Sequence, residues 1–216
     1  MTTAIIDYGS GNLHSAAKAF ERASAAIGSS EPVVVSRDAG VIRRAARIVL
    51  PGVGSFADCR RGLHEAPGVI EMLQEAVLEQ GRPFLGICVG MQLLASAGHE
   101  DGVHKGLDWI AGEVVAVAPS DPALKVPHMG WNDIELMPTG RRHPVFEGIP
   151  NRRHGYFVHS YRFQCVEADH VLARVDYGGA IAAAVGRDNI VGVQFHPEKS
   201  QALGLGLIEN FLRWQP

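Results

Sequence analysis

The sequence is short of cysteine, of long apolar runs and of excess positive charge. Its 216 residues include only three cysteines, at positions 59, 88 and 165, and no C-x-x-C pair. This pattern excludes a disulfide scaffold and favours a reducing compartment. No apolar run approaches the roughly 20 residues that a membrane-spanning helix needs, and MTTAIIDYGSGN lacks the regions of a signal peptide. We therefore expect a cytoplasmic protein with no membrane contact.

The charge balance gives no support to a nucleic-acid partner. The formal net charge is −3 with histidine neutral, and the arginines are spread too widely to form a basic stripe. The length suffices for one well-filled hydrophobic core, and there is no internal repeat or linker. The sequence therefore predicts a single domain over residues 1–216.

The first hundred residues alternate between two periodicities. Apolar residues at helical spacing separate four short segments rich in branched side chains, a pattern typical of strands buried on both faces of a parallel sheet. These segments are Thr3–Asp7, Pro32–Ser36, Arg47–Leu50 and Pro83–Ile87, and a predicted helix, Met91–Ala97, follows the last of them. Their order predicts right-handed strand–helix–strand crossovers.

After Gly98 the pattern changes to strands in quick succession, closed by an amphipathic helix. The predicted strands are Glu113–Ala118, Asn132–Met137, Tyr156–Phe163, Val171–Val175, Ala180–Val185 and Ile190–Phe195, and the predicted helix is Leu205–Trp214. We therefore predict an α/β fold with a mostly parallel open sheet, flanked by helices, and a β-rich second half.

The stretch FLGICVGMQLL places Cys88 between two glycines where a predicted strand passes into a predicted helix. This Gly-x-Cys-x-Gly pattern resembles the nucleophile elbow, which is usually written with serine. The glycines let neighbouring backbones approach closely, and the helix N-terminus aims N–H groups such as that of Val89 at an oxyanion. A buried structural thiol is the alternative, and it is our interpretation of Cys59 and Cys165.

A base for this thiol is offered by VGVQFHPEKS. A predicted strand delivers His196 to its carboxyl end, and Pro197 disfavours a helical conformation for the residue before it. We expect the chain to stay extended, so that His196 and Glu198, two residues apart, share one face. A carboxylate beside an imidazole fixes its tautomer and stabilises the imidazolium. We therefore predict a triad of Cys88, His196 and Glu198.

Two glycine-rich turns follow other predicted strands. LPGVGSF lies at the carboxyl edge of the sheet, where the Val53 N–H can be offered to an oxyanion beside the nucleophile. DYGSGNLH partly matches a dinucleotide fingerprint, but His14 stands where the third glycine should be and no acid ends the second strand. We interpret it instead as a turn before the first helix, close to the active site.

Together these pieces resemble the class I, triad-type glutamine amidotransferases over essentially the whole chain. The combination is PG-x-G, then G-x-C-x-G-M-Q, then F-H-P-E, in that order. Further stretches are similar, within that family, to the glutaminase subunits of imidazole glycerol phosphate synthases. They are DYGSGN, PGVGSF, PHMGWN, YFVHSY and FHPEKSQ. The resemblance implies a flavodoxin-like core, no cofactor and no metal.

The family's roles carry over to matching positions. The resemblance implies that Cys88 attacks the amide of L-glutamine, that His196 transfers protons and that Glu198 orients His196. It also implies an oxyanion hole from the N–H groups of Val53 and Val89. Glutamine would be held by Gly52, Gly54, Gln92, Ser160 and Tyr161. The partner and the mouth of an ammonia passage would be faced by Met129, Trp131, Asn132, Tyr156 and Lys199.

A partner is expected because the glutaminase motifs leave no residues for an ammonia-acceptor site, and free ammonia is protonated in neutral water. In the resembled pairs the partner is a cyclase subunit with a (β/α)₈ barrel, bound 1:1, and glutaminase activity is weak until the liganded partner binds. A backbone flip at PGVG is an expected switch. The alternatives are a glutaminase for another ammonia acceptor, a stand-alone γ-glutamyl hydrolase and a non-catalytic subunit that binds a synthase.

Overall fold

The structure, a computed structural model, describes residues 2–216. The strands are β1 Thr3–Ile6, β2 Val33–Ser36, β3 Arg47–Gly52, β4 Phe84–Cys88, β5 Ala97–Gly98, β6 His104–Lys105, β7 Gly112–Ala116, β8 His128–Leu136, β9 Arg153–His159, β10 Tyr161–Cys165, β11 Val171–Asp176, β12 Ala180–Arg187 and β13 Ile190–Val193. The helices are α1 Leu13–Ala26, α2 Ala39–Arg44, α3 Phe56–Glu65, α4 Val69–Leu73, α5 Val89–Gln92, α6 Pro138–Arg142 and α7 Gln201–Arg213. A π-helical segment, Gln74–Glu79, extends α4, and 3₁₀ turns cover Pro144–Phe146, Ala168–His170 and Pro197–Lys199.

Nine strands form one mixed sheet in the order β2-β1-β3-β4-β13-β12-β11-β8-β9. The first five strands of this order pair in parallel, and their order is that of a flavodoxin-like core. The remaining strands pair antiparallel. A smaller sheet has the order β10-β7-β5-β6. The predicted α/β class, with its β-rich second half, is confirmed.

The parallel half carries the deepest part of the core, because strands β3 and β4 are buried along their whole length. Helices α1 and α7 pack against each other beside this half, and the rings of Phe20 and Phe211 meet edge to face at 6.2 Å. Because β1, β3, β4 and β13 pair in parallel, their carboxyl ends lie at one edge of the sheet, where open α/β sheets bind ligands. In residues 2–216 no helix has the length and apolar character to cross a membrane.

The predicted helix Met91–Ala97 is wrong in its extent, since α5 ends at Gln92. The carbonyl groups that would accept the next helical hydrogen bonds accept hydrogen bonds from a later loop instead. The N–H groups of Leu107 and Trp109 donate to the carbonyls of Leu93 and Leu94, at 2.7 and 3.0 Å. The loop thereby replaces the helical hydrogen bonds and leads the chain into the short strand β5.

The predicted strand Tyr156–Phe163 is two strands that belong to different sheets. Strand β9 pairs with β8 in the large sheet, and β10 pairs with β7 in the small one. Ser160 lies at the break, and its carbonyl accepts a hydrogen bond from the Val117 N–H at 2.8 Å. The chain therefore changes sheet at Ser160, next to the cavity described below.

Candidate active site

The turn at Cys88 has the strained geometry that its two glycines predict. Cys88 ends β4 with φ 56° and ψ −113°, a backbone conformation that L side chains rarely adopt. A Cβ on Gly86 would lie 2.5 Å from the carbonyl oxygen of Gly90, and a Cβ on Gly90 would lie 1.8 Å from that of Leu50. Both positions therefore require glycine, and together they hold the thiol at the end of the strand.

Strand β3 runs beside the nucleophile turn, with Gly52 in register with Cys88. A Cβ on Gly52 would lie 2.7 Å from the Gly90 nitrogen, so this backbone approach also depends on glycine. The Tyr8 hydroxyl, from the turn after β1, donates to the Pro51 carbonyl at 2.7 Å and holds the PGVG turn. The sequence did not predict this role of Tyr8, because nothing within DYGSGN shows that its ring reaches β3.

Both backbone hydrogen-bonding groups of Val53 are held by Ser10. Its N–H donates to Ser10 Oγ at 3.0 Å, and Ser10 Oγ donates back to the Val53 carbonyl at 2.6 Å. Cys59 Sγ lies 3.2 Å from the same hydroxyl. The Val53 N–H is therefore engaged by Ser10, and its role in an oxyanion hole stays a prediction that requires the release of this bond. The Val89 N–H lies in the first turn of α5, where helices leave N–H groups without intrahelical partners.

His196 and Glu198 form a buried pair. His196 Nδ1 lies 2.8 Å from Glu198 Oε1, and the two side chains are 4% and 3% exposed. His196 is extended, at φ −92° and ψ 99°, as Pro197 predicts, but the chain then enters a 3₁₀ turn. The predicted contact is present, whereas the reason given for it is wrong. The turn, and not an extended run, brings the carboxylate back to the imidazole.

The backbone of His196 is fixed from two sides. Its N–H donates to the Tyr156 carbonyl at 2.9 Å. The buried Ser200 hydroxyl donates to the His196 carbonyl at 2.7 Å and accepts from the Tyr156 N–H at 2.9 Å. Strand β9 therefore helps to position the imidazole. Ser200 was not predicted as a site residue, although it stands only four positions after His196.

The electrostatics of the pair favour a proton on the imidazole. Burial lowers the pKa of His196, but the neighbouring Cys88 and the hydrogen-bonded carboxylate of Glu198 act in the opposite direction and raise it to about 10. Within residues 2–216, His196 Nε2 has no hydrogen-bond partner. It faces the same cavity as Cys88. The arrangement therefore suits a thiolate–imidazolium pair with Glu198 behind the ring.

A cavity of about 320 Å³ lies at the carboxyl edge of the sheet, over these groups. The predicted site residues that line it are Val53, Gly54, Cys88, Val89, Gln92, Ser160, Tyr161, His196 and Lys199. Of the others, Gly52 lies below the nucleophile turn and Glu198 lies behind His196. The cavity is also lined by Asn12, Glu100, Pro127, Val158 and His159, which were not predicted. The DYGSGN turn is thus close to the site, as expected.

A group of exposed and half-buried side chains extends outward from Lys199, which lines the cavity. Met129 and Trp131 are 64% and 56% exposed. The rings of Trp131 and Tyr156 meet edge to face at 5.1 Å, and Lys199 Nζ lies 5.5 Å from the centre of the Tyr156 ring. We call these four residues the exposed patch. Asn132 does not join it, because its amide donates inward to the Asp176 carbonyl at 2.9 Å.

Gln194 is the most consequential residue that the sequence prediction missed. It is fully buried, and its Nε2 lies 3.7 Å from Cys88 Sγ. Its Oε1 accepts from Gln92 Nε2 at 2.9 Å. The available signal was an amide side chain inside an otherwise apolar segment, VGVQF, two residues before His196.

Sequence comparison places this geometry among known proteins. The family described as glutamine amidotransferase class-I matches residues 4–214. The chain belongs to this family. It is also 58% identical to the imidazole glycerol phosphate synthase subunit HisH of Brucella abortus (strain 2308), and 54% identical to that of Rhodopseudomonas palustris. Both alignments cover 100% of this chain and 100% of the relative, so the chain belongs to the HisH family within the class.

Solved structures agree on the fold. A structure described as a glutamine amidotransferase superposes with a TM-score of 0.71 at 19% identity, covering 99% of this chain and 98% of the other. The glutaminase domain of Trypanosoma brucei CTPS with bound acivicin superposes with a TM-score of 0.63 at 13% identity, covering 100% and 96%. At these identities the likeness concerns the fold alone, and it confirms the predicted class I amidotransferase-like architecture.

Proposed function

We propose that the chain is the glutaminase subunit of an imidazole glycerol phosphate synthase. It hydrolyses L-glutamine to glutamate and ammonia, and it passes the ammonia to a cyclase subunit in histidine biosynthesis. The observation that carries the proposal is the buried 2.8 Å contact between His196 and Glu198, in one cavity with a cysteine held at a strained turn. The relatives that are 54–58% identical over their full length support the choice of synthase.

The first chemical step forms a thioester. The Cys88 thiolate attacks the side-chain amide carbon of glutamine, and negative charge develops on the amide oxygen. The Val89 N–H stabilises this oxyanion, and the Val53 N–H joins it when its peptide turns away from Ser10. The imidazolium of His196 then donates its Nε2 proton to the departing nitrogen. The carbon–nitrogen bond breaks, ammonia leaves, and a γ-glutamyl thioester remains on Cys88.

The second step releases glutamate. Neutral His196 now takes a proton from water, and the resulting hydroxide attacks the thioester carbon. The carbon–sulfur bond breaks and the thiolate returns to face the imidazolium. Glu198 holds Nδ1–H throughout, so that Nε2 is the nitrogen that exchanges protons. Gly52, Gly54, Gln92 and the backbone of residues 160–161 hold the glutamine.

The partner is a (β/α)₈ cyclase subunit bound 1:1, and the exposed patch is the surface that meets it. An exposed tryptophan and methionine beside a tyrosine have the composition of an interface core rather than of ordinary surface. Lys199 both borders the cavity and contacts Tyr156 of the patch, so ammonia has a short route from Cys88 to the interface. We propose one domain over residues 1–216 and a cytoplasmic location, which the three free cysteines favour.

The test is glutamate release by the wild type and by Cys88→Ala, each with and without the cyclase subunit and its ribulosyl substrate. We expect activity only in the wild type, rising strongly with the liganded cyclase. Activity that ignores the cyclase would indicate a stand-alone hydrolase. Activity that survives in Cys88→Ala, or a wild type that is inactive with the cyclase present, would refute the proposal.

A further inference from the structure

Four buried polar side chains near the cavity have no role in the proposed chemical steps beyond the holding of glutamine. They are Gln92, His128, His159 and Gln194. A buried polar group is costly unless it is hydrogen-bonded. In this structure the four are bonded in a continuous chain, which runs from Asn132 on β8 to the Cys88 thiol.

The Tyr161 carbonyl sets the direction of the first part of this chain. A carbonyl oxygen only accepts hydrogen bonds, and His159 Nδ1 lies 2.8 Å from it, so Nδ1 must carry the hydrogen. In neutral His159, Nε2 is then an acceptor, and His128 Nδ1 donates to it at 2.9 Å. His128 Nε2 in turn accepts from Asn132 Nδ2 at 3.3 Å. Every tautomer in this part is therefore determined.

Burial favours the neutral form of both imidazoles. Burial, together with the neighbouring histidine, lowers the pKa of His128 to about 4. Burial also lowers the pKa of His159 to about 4, against the raising effect of its bond to the Tyr161 carbonyl. A neutral pair can make the directional bonds described above, whereas two cations cannot.

The same carbonyl sets the direction of the second part. Gln92 Nε2 also lies within reach of it, at 3.2 Å, so Gln92 must present its NH₂ group and not its oxygen. The second hydrogen of that NH₂ goes to Gln194 Oε1, 2.9 Å away. The oxygen of Gln194 is thereby fixed as an acceptor. Its NH₂ group is consequently turned toward Cys88 Sγ, at 3.7 Å.

We propose that Gln194 is a positioning residue that donates a hydrogen bond to the Cys88 thiolate, and that His128 and His159 hold in place the Tyr161 carbonyl from which Gln92 and Gln194 take their orientation. This rests on the proposed function, because it assigns the bond to the thiolate of that mechanism. An amide donor favours the thiolate over the neutral thiol and keeps the sulfur in one rotamer. The reversed amide would place an oxygen lone pair against the thiolate.

The first test is the rate at which iodoacetamide alkylates Cys88, followed on the Cys88 peptide by mass spectrometry. This readout needs neither glutamine nor a partner, and the peptides of Cys59 and Cys165 provide internal controls. We expect Gln194→Leu to slow the alkylation about three- to tenfold, because the loss of a hydrogen bond to the charged sulfur lowers the thiolate population while the less stabilised thiolate is more nucleophilic. An unchanged alkylation rate in a folded Gln194→Leu would overturn the proposal.

The second test addresses the histidine pair and remains available if Gln194→Leu does not fold. His128→Phe keeps an aromatic ring between Tyr177 and Phe157, which now stack on His128 at 4.0 and 4.8 Å, but it removes the Nδ1 donor. His128→Asn restores an N–H donor close to the position of Nδ1. We expect alkylation several-fold slower in His128→Phe and mostly recovered in His128→Asn. Equal rates in the two variants would contradict the proposed relay.

Steady-state kinetics with the liganded cyclase separate this role from simple support of the fold. A weakened thiolate lowers kcat for glutamine with little change in KM, so we expect that split in Gln194→Leu. A change in KM alone would contradict it. If the proposed function were wrong, the wild type itself would lack glutaminase activity. The alkylation rates of Cys88 would still decide the role of Gln194 in that case.

Discussion

The two halves of the nine-stranded sheet meet at the cavity and fix its walls by different means. In the parallel half, β3 and β4 approach so closely that the backbone itself fills the space, and the turn at Cys88 depends on Gly52, Gly86 and Gly90. In the antiparallel half, β8 and β9 fix their wall through side-chain hydrogen bonds between buried histidines. Backbone packing thus fixes the nucleophile turn, whereas the opposite wall of the cavity depends on individual side-chain hydrogen bonds that single substitutions can remove.

The largest effect is expected from Gly90→Ala in the rigid half. Its Cβ would lie 1.8 Å from the Leu50 carbonyl oxygen, so β3 and the nucleophile turn must separate. We expect a loss of more than about 3 kcal/mol in the free energy of unfolding, at the upper end for overpacking, and no glutaminase activity. Denaturant unfolding measures the first and glutamate release the second.

The matched control is Gly206→Ala, in helix α7. There the nearest atom to the new Cβ would be Ile149 Cγ1 at 3.7 Å, an ordinary contact. Alanine is the better helix former by roughly 1 kcal/mol, so this variant should be at least as stable as the wild type. Equal stability of the two variants would show that the turn is not held by backbone contact.

Glu198→Gln tests the charge behind His196. An amide cannot stabilise the imidazolium as the carboxylate does, and we expect kcat with the liganded cyclase to fall by about 10³-fold or more, by analogy with triads that lose their carboxylate. Exposed Glu135→Gln serves as the control and should be neutral. A loss smaller than tenfold in Glu198→Gln would remove Glu198 from the triad.

The contact between His196 and Glu198 also predicts how the free energy of unfolding depends on pH in the alkaline range. The pKa of His196 is raised from 6.5 to about 10, so its stabilising contribution is complete below pH 6.5 and is lost as the pH rises through about 10. Glu198→Gln should therefore lose less stability than the wild type between pH 7 and pH 10. Unfolding curves at a series of pH values provide the measurement, and parallel curves would contradict it.

The hydrogen-bonded pair of His128 and His159 should instead make the free energy of unfolding sensitive to acid. His128 and His159 have pKa values lowered from 6.5 to about 4. Their neutral, bonded state therefore stabilises the fold fully above pH 6.5, and this contribution is lost as the pH falls toward 4. We expect His128→Phe to reduce the acid-dependent loss by about 1–3 kcal/mol. Unfolding curves of the wild type and of His128→Phe between pH 7 and pH 4 provide the measurement, and an equal acid-dependent loss in the two would contradict the prediction.

The smallest effect is expected from Ser10→Ala. The Ser10 hydroxyl holds both the N–H and the carbonyl of Val53. Its removal lets the peptide turn toward the oxyanion more often, and we expect glutamate release without the cyclase to rise several-fold. This is well below the 10²–10³-fold value of a full oxyanion-hole donor. Ser120→Ala removes a hydroxyl that does not line the cavity and serves as the control. A decrease in the unstimulated rate of Ser10→Ala would mean that the hydroxyl supports catalysis.

The sequence was informative wherever a chemical requirement is local. The glycines around Cys88 and the carboxylate two residues after His196 lie within single short motifs, and both predicted contacts are present. Contacts between distant segments carry no such local signal. The Ser10 bond to Val53 spans 43 positions and the Gln194 bond to Cys88 spans 106. The length of α5 depends on the loop at residues 107–110, so helical periodicity alone could not give it.

The most direct measurement is the site of the covalent intermediate. The wild type with the liganded cyclase is mixed with glutamine, quenched in acid and digested, and each cysteine peptide is weighed by mass spectrometry. A γ-glutamyl adduct on the Cys88 peptide alone, absent in Cys88→Ser, is the predicted result. An adduct on Cys59 or Cys165, or rapid glutamate release with no adduct on Cys88 at any quench time, would contradict the thioester mechanism.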